Sequence, residues 1–190
     1  LAGPSASGKT EVAKYLASFF EMKKIITTTT RPMRKGEVNG KDYFFVTIEE
    51  FNTMVEEDKF VEYTVYNGNM YGSTKDQIGT NKCVVIDPIG LKAYIALNDP
   101  TIVTFYLKAS EKVRYKRMIE RGDSVENAKQ RILNDKVAFN KKNMCDVDFK
   151  IDSENASIEE VSNDIYKKYL ERINQAKWIL NNNQNILEKF

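Results

Sequence analysis

Eight consecutive residues, Gly3-Pro4-Ser5-Ala6-Ser7-Gly8-Lys9-Thr10, have the form G-x-x-x-x-G-K-[ST]. Small residues in such a loop let consecutive backbone N–H groups turn inward onto phosphate oxygens, and the N-terminus of the following helix adds partial positive charge. Lys9 then reaches the β- and γ-phosphates of a nucleotide, and the Thr10 hydroxyl binds Mg²⁺. A bland glycine-rich turn does not need Lys-Thr after its last Gly. Arg31 and Arg34, three residues apart, offer guanidinium forks that suit a phosphate monoester dianion better than point charges would. The alternative for them is a solvated basic turn. Arg114, Arg117 and Arg121 share one helix face by spacing, with Arg131 beyond Gly122-Asp123; such a stripe is either solvated or a set of phosphate ligands. Asp87 ends the apolar run 83–86, where a parallel strand delivers a side chain to a crevice at its carboxyl end. It orients a base or a Mg²⁺-bound water, or it caps a turn before Pro88.

Composition narrows the chemistry. The 190 residues contain no histidine, which removes Ser-His-Asp and Cys-His relays, a histidine general base and Cys/His zinc sites. Lys plus Arg (29) nearly balance Asp plus Glu (27), so bulk charge attracts neither nucleic acid nor membrane, and a small-molecule partner is expected. Two distant cysteines, Cys83 and Cys145, without a secretory leader point to a reducing cytoplasm rather than a disulfide framework. No apolar run approaches the length that spans a bilayer. The sequence starts at Leu1 without an initiating Met, and further N-terminal sequence is expected to precede it.

The elements that must position these residues read as alternating strands and helices. Short runs rich in β-branched and aromatic residues occur at 24–29, 83–87, 102–107 and 147–151. Val12, Ala13, Leu16, Phe19 and Phe20 repeat at helical spacing after the loop. Ser110 caps a predicted helix ending at Gly122, and Ser124 caps another with Val125, Ala128, Ile132 and Phe139 on one side. Ser157 with Glu160 forms a capping box for a long last helix, whose Asn-rich stretch 181–185 is expected to fray. The fold class is therefore α/β, a three-layer core with a mainly parallel sheet. Residues 30–79, glycine-punctuated with one helical pattern at 48–55, read as an inserted β-rich lobe.

A phosphate loop alone does not separate a GTPase, an ATPase motor and a kinase. Asn81-Lys82 invites a guanine-binding N-K-x-D reading, but position 84 is Val and the pair precedes a strand. The acceptor side decides. The loop, Thr28-Thr29-Thr30-Arg31-Pro32-Met33-Arg34-Lys35-Gly36-Glu37 with Gly40-Lys41-Asp42-Tyr43, and Asn67-Gly68-Asn69-Met70-Tyr71-Gly72-Ser73 together resemble the guanylate kinases over about residues 1–165.

That resemblance implies a single domain with a P-loop core (about 1–29, 80–110 and 143–190), a GMP-binding lobe (30–79) and a helical lid (111–142). It implies ATP-dependent phosphorylation of GMP, or dGMP, by a cytoplasmic monomer or homodimer that binds ATP and GMP with Mg²⁺. Gly3, Pro4, Ser5, Ala6, Ser7, Gly8, Lys9, Thr10 and Arg117 would bind ATP. Arg31 and Arg34 would clamp the GMP phosphate with Tyr43 and Tyr71, whose alternative is packing in the core. Glu62 and Ser73, with Thr27 and Asp87, would hold the base. Lys9, Arg31, Arg34, Arg121 and Arg131 would be catalytic, and Thr10 and Asp87 would be the candidate metal ligands.

Guanine offers N1–H and an amine side by side, and one carboxylate accepts both; adenine would leave Glu62 half unpaired. Some features depart from the family pattern. Ala6 stands where Gly is usual, which costs on the order of 1 kcal/mol if φ is positive. Val85 replaces an acid two residues before Asp87. The segment 74–82 is short, and the tail beyond Ile165 is long. The rival readings are a P-loop kinase with another nucleotide or sugar-phosphate acceptor, and a kinase-like interaction module that has lost catalysis.

Overall fold

A computed structural model describes residues 1–34, 36–66 and 68–187. Lys35 and Asn67, members of the motifs above, and the last three residues lie outside the described residues. Helix α1 (Lys9–Phe19) follows the loop and buries Val12, Ala13 and Leu16. Phe19, expected on that buried face, is instead 67% exposed. It lies on the last turn and stacks on Tyr15 one turn back, with ring centroids 4.3 Å apart. Phe20 turns inward onto Tyr166.

The assigned core strands are shorter than the apolar runs: β1 (Lys23–Lys24), β6 (Lys82–Cys83), β7 (Phe105–Lys108) and β8 (Phe149–Asp152). Pairs β1·β6 and β7·β8 are parallel, and hydrogen bonds outside the ladders join them through the first two residues. Leu1 N donates to Val84 O (2.7 Å), Ile86 N to Leu1 O, Ala2 N to Phe105 O and Leu107 N to Ala2 O. Segments 23–25, 82–86, 1–2, 105–108 and 149–152 thus lie side by side, and the phosphate loop leaves from the middle of the array. Behind it, Val12, Leu16, Phe105, Leu107, Ile151, Val161 and Ile165 form the core. No described helix is long and apolar enough to cross a membrane.

A second, mixed sheet contains β2 (Thr28–Thr29), β3 (Phe44–Phe45), β4 (Phe60–Tyr66) and β5 (Asn69–Thr74) in the order β3-β2-β5-β4. The β4·β5 hairpin register pairs Glu62 with Ser73, and β2·β5 pairs Thr29 with Tyr71. Gly72 makes this packing possible: a Cβ there would come within 2.6 Å of the Phe60 ring. Phe60 instead stacks on Phe51 of α2 (Ile48–Glu56). That helix starts with a Thr47/Glu50 capping box.

Helix α3 (Pro88–Ala96) follows the β6 segment and packs against β4. Helices α4 (Glu111–Glu120) and α5 (Val125–Ala138) begin at Ser110 and Ser124, whose side chains accept from Val113 N and Asn127 N. Gly122, at φ 95°, makes the turn between them. The expected apolar side of α5 is only partly right: Val125 is 44% exposed, and the buried face carries Asp135 with Ala128. Helix α6 (Ile158–Leu187) has the Ser157/Glu160 capping box. It continues through the Asn-rich stretch as helix, with no break at 181–185.

Candidate active site

In the loop 3–10 every carbonyl from Gly3 to Ser7 accepts a hydrogen bond from a side chain. Lys9 Nζ donates to Gly3 O (2.6 Å) and Pro4 O (2.9 Å). Arg114 Nη1 donates to Ser5 O (3.3 Å) and Arg117 Nη1 to Ala6 O (3.3 Å). Ser153 Oγ donates to Ser7 O (2.7 Å). Each peptide has its carbonyl and amide on opposite edges, so donors on the carbonyl side turn amides the other way. Gly8, at φ 94°, is the N-cap of α1 and brings no side-chain acceptor. The first amides of the helix are thereby left for an anion.

Besides Gly8, two loop positions have positive φ, for different reasons. Gly3, at φ 149°, admits no side chain, because a Cβ would sit 2.4 Å from Leu107 O. Ala6 has φ 59°, the left-handed conformation in which an alanine is strained. Lys9 is partly buried. Burial pulls its ammonium pKa down to about 8; the Asp135 charge opposes this, and Arg131, Arg114 and Arg121 add to it.

The loop faces the second sheet across a cavity of about 480 Å³. Gly3, Ser5 and Lys9 line one side, Thr27, Tyr43, Glu62 and Tyr71 the other, with Asp87, Arg131 and Asp135 between. Glu62 Oε1 accepts from Ser73 Oγ (2.6 Å), as the strand register dictates. Burial pushes the Glu62 carboxyl up, the Ser73 hydrogen bond pulls it back and the Asp87 charge pushes it further up. The Cα of Gly90 forms one wall of this carboxylate's niche: a Cβ would come within 3.2 Å of Glu62 Oε2. Asp87 lines the cavity and also caps α3, accepting from Gly90 N (2.8 Å). Ser73 is fully buried behind Glu62.

Arg31 joins the two tyrosines. Its guanidinium lies 5.4 Å from the centroid of the Tyr43 ring and 5.6 Å from that of Phe45, and Tyr43 meets Tyr71 edge-on at 6.1 Å. Glu37, to which the sequence reading assigned no role, organises the group. One carboxylate oxygen pairs with Arg31 Nη2 (2.7 Å) and the other accepts from Arg34 N (2.7 Å). These bonds hold its carboxyl below the usual range. The Arg34 side chain is exposed.

Of the arginines between residues 111 and 142, Arg131 reaches the cavity, with Nη2 3.5 Å from Ser5 Oγ. Arg121 is held by Asp123 through Nε (3.2 Å) and Nη2 (2.6 Å). Arg117 lies against the loop's carbonyl side, spending Nη1 on Ala6 and Nη2 on Ser153 O (2.6 Å). Sequence reasoning missed Asp135, which binds Ser5 N, Ser5 Oγ and Arg114. The signal was present, since residue 135 is seven positions after buried Ala128 and belongs to the same face.

Among the described residues no cluster of three or more His, Cys, Asp or Glu is arranged to hold a metal alone. The Thr10 hydroxyl at the start of α1 and the Asp87 carboxylate are hard oxygen donors. They suit a Mg²⁺ ion that takes most of its ligands from phosphate and water.

Comparison with known proteins places these features in a family. A family model described as guanylate kinase matches residues 1–173. The guanylate kinase of Wolbachia pipientis wMel is 28% identical over 184 residues, 92% of both chains. That of Novosphingobium aromaticivorans is 49% identical over 79 residues, 41% of this chain and 36% of the relative, so the chain matches about a third of that protein's length. A crystal structure of guanylate kinase from Anaplasma phagocytophilum superposes with a TM-score of 0.63 at 25% identity, covering 90% of this chain and 83% of that one.

Proposed function

Because this chain belongs to the guanylate kinase family, we propose that it transfers the γ-phosphoryl group of ATP to GMP, giving ADP and GDP. The observation that carries this reading is the juxtaposition across one cavity of a phosphate loop with a half-buried carboxylate and the Tyr43-Tyr71 pair, against which Arg31 lies. ATP lies with its phosphates on the loop amides and Lys9. Arg31 and Arg34, with the hydroxyls of Tyr43 and Tyr71, take the phosphate of GMP. Glu62 accepts N1–H and the amine of guanine, and Ser73, Thr27 and Asp87 fix the base around it.

The second pKa of a phosphate monoester is near 6, so the attacking oxygen is already ionised at neutral pH and needs no base. That oxygen forms a bond to the γ-phosphorus while the bond to the β,γ-bridging oxygen breaks, and ADP leaves with the electron pair. Lys9, Arg31, Arg34, Arg121 and Arg131 hold both nucleotides in line and neutralise the equatorial oxygens. Thr10, with Asp87 as the candidate second donor, would hold Mg²⁺, whose charge would favour transfer. Arg117 supports the loop from its carbonyl side. Residues 30–79 act as the acceptor lobe and 111–142 as a lid over ATP; their closure excludes water.

Coupled ADP release with GMP, dGMP, AMP and dTMP tests this reading. Turnover is expected with GMP and not with AMP or dTMP. Lys9→Ala should lose most of it, on the order of a hundredfold or more. Wild-type turnover in Lys9→Ala, or equal use of AMP and GMP, overturns the assignment.

A further inference from the structure

Ser5 is the loop residue most heavily held from outside. Its amide donates to Asp135 Oδ2 (2.9 Å) and its hydroxyl to Asp135 Oδ1 (3.1 Å). Its carbonyl accepts from Arg114 Nη1 (3.3 Å), the same nitrogen that donates to Asp135 Oδ2 (2.6 Å). Arg114 is 4% exposed and Asp135 8% exposed, so this is a buried ion pair that holds one residue, Ser5, by its amide, hydroxyl and carbonyl. The two partners come from the two lid helices, and Ser5 lies more than a hundred residues before either.

We propose that Asp135 is a positioning residue for ATP. Through Ser5, and braced by Arg114, it fastens the lid helices to the phosphate loop and holds the loop in the shape that receives the triphosphate. This rests on the reading of the loop as the ATP site. A carboxylate beside a phosphate cradle would repel the ligand if left uncompensated. Here its charge is spent on Arg114, with Arg131 close by over Ser5. What it contributes is geometry. Both of its oxygens are committed to Ser5, so the Ser5 amide and hydroxyl cannot turn, and the chain is fixed where it enters the left-handed turn at Ala6. The loop's side chains are small and pack little among themselves, and this outside grip adds what they lack.

The test is steady-state kinetics on Asp135→Asn, which keeps the volume but loses the ion pair and one of the two acceptors. KM for ATP at saturating GMP is expected to rise about tenfold or more, with KM for GMP unchanged. KM does not depend on the amount of active enzyme, so a partly folded preparation still gives a reading. Arg114→Met with Asp135→Leu replaces the pair by apolar side chains without stranding a charge. It is expected to melt near the wild type and yet show the raised ATP KM. Lys136→Gln, which breaks only the exposed Lys136–Glu111 pair between the same two helices, should leave both KM values unchanged.

A wild-type ATP KM in either Asp135 variant overturns the proposal and marks the pair as a stabilising contact alone. Equal rises in the ATP and GMP KM values also overturn it, since the effect would then be general loosening. Lys9→Ala, assayed alongside, separates the two levels. If it is inactive while the Asp135 variants are normal, only the positioning role falls. If it is fully active, the ATP site itself has been misplaced.

Discussion

Replacing Glu62 by Gln should damage function and improve stability at neutral pH, and the two effects share a cause. The carboxylate is drawn into the cavity with Ser73 Oγ at 2.6 Å and the Gly90 backbone as a wall. Burial raises its pKa above the ordinary carboxylate value. The unfolded chain therefore loses this proton more readily than the folded one. Below the ordinary value both states are protonated and nothing is lost; as pH rises toward the raised folded value, stability falls, and above it the full penalty remains. Gln is never charged and keeps an acceptor for Ser73, so it escapes the penalty.

The Glu62→Gln protein should melt above the wild type at pH 7.5 and much closer to it at pH 4.5. Each kcal/mol should appear as about 2–4 °C in a domain of this size. On the functional side, Gln presents one acceptor and one donor where guanine presents two donors. The loss of a charge-assisted hydrogen bond, about 1.5–3 kcal/mol, predicts a fall of roughly ten- to a hundredfold in kcat/KM for GMP. Differential scanning fluorimetry at both pH values and coupled ADP release with GMP and AMP provide the measurements. An unchanged preference for GMP, or a melting difference that does not vary with pH, would refute the reasoning.

Two predictions concern the loop itself. Ala6→Gly relieves a left-handed alanine at φ 59°; the strain of about 1–2 kcal/mol, less the extra chain entropy of Gly, leaves a gain of about 0.5–1 kcal/mol, seen as a rise in melting temperature. Gly3→Ala places a Cβ 2.4 Å from Leu107 O and 2.9 Å from Ser7 Oγ. It should cost about 2–3 kcal/mol in denaturant unfolding, and a cost under half that would mean that the strand carrying Leu107 yields freely.

What could be read from the sequence was local. The loop, the caps at Ser110, Ser124 and Ser157, and the stop at Gly122 depend on neighbours within a few residues, and each stands where spacing puts it. The left-handed φ at Ala6 was also legible, because a glycine position that is filled by alanine still obeys the turn. Long-range pairing was harder to read. Nothing in its neighbours says that Glu37 will face Arg31 across a turn. Nor do they say that Ser153, 146 residues from Ser7, will bond its carbonyl. Phe19 and Val125 fit a helical period yet lie at helix ends, where the packed neighbour stops short. Asp135 was passed over because a charge on an apolar face reads as noise in the period until its partner is known.

The legible motif and the illegible contacts depend on each other. A loop of small residues can present its amides only if its carbonyls are satisfied on the other side. The donors that do this are Lys9, Arg114, Arg117 and Ser153, three of them more than a hundred residues away. The loop's shape is therefore a property of helix α4 and of the segment after β8, and of the loop sequence only in part. The nature of those donors also matters. With no histidine in the chain, the cradle is built from guanidinium, hydroxyl and one ammonium, groups whose ordinary pKa values lie far above neutrality. Lys9 is drawn down to about 8 by burial. The acceptor end differs: Glu62, proposed to hold guanine, has a carboxyl that burial pushes up, so the pH dependence of acceptor binding is set by that carboxyl together with the second ionisation of the ligand phosphate near pH 6.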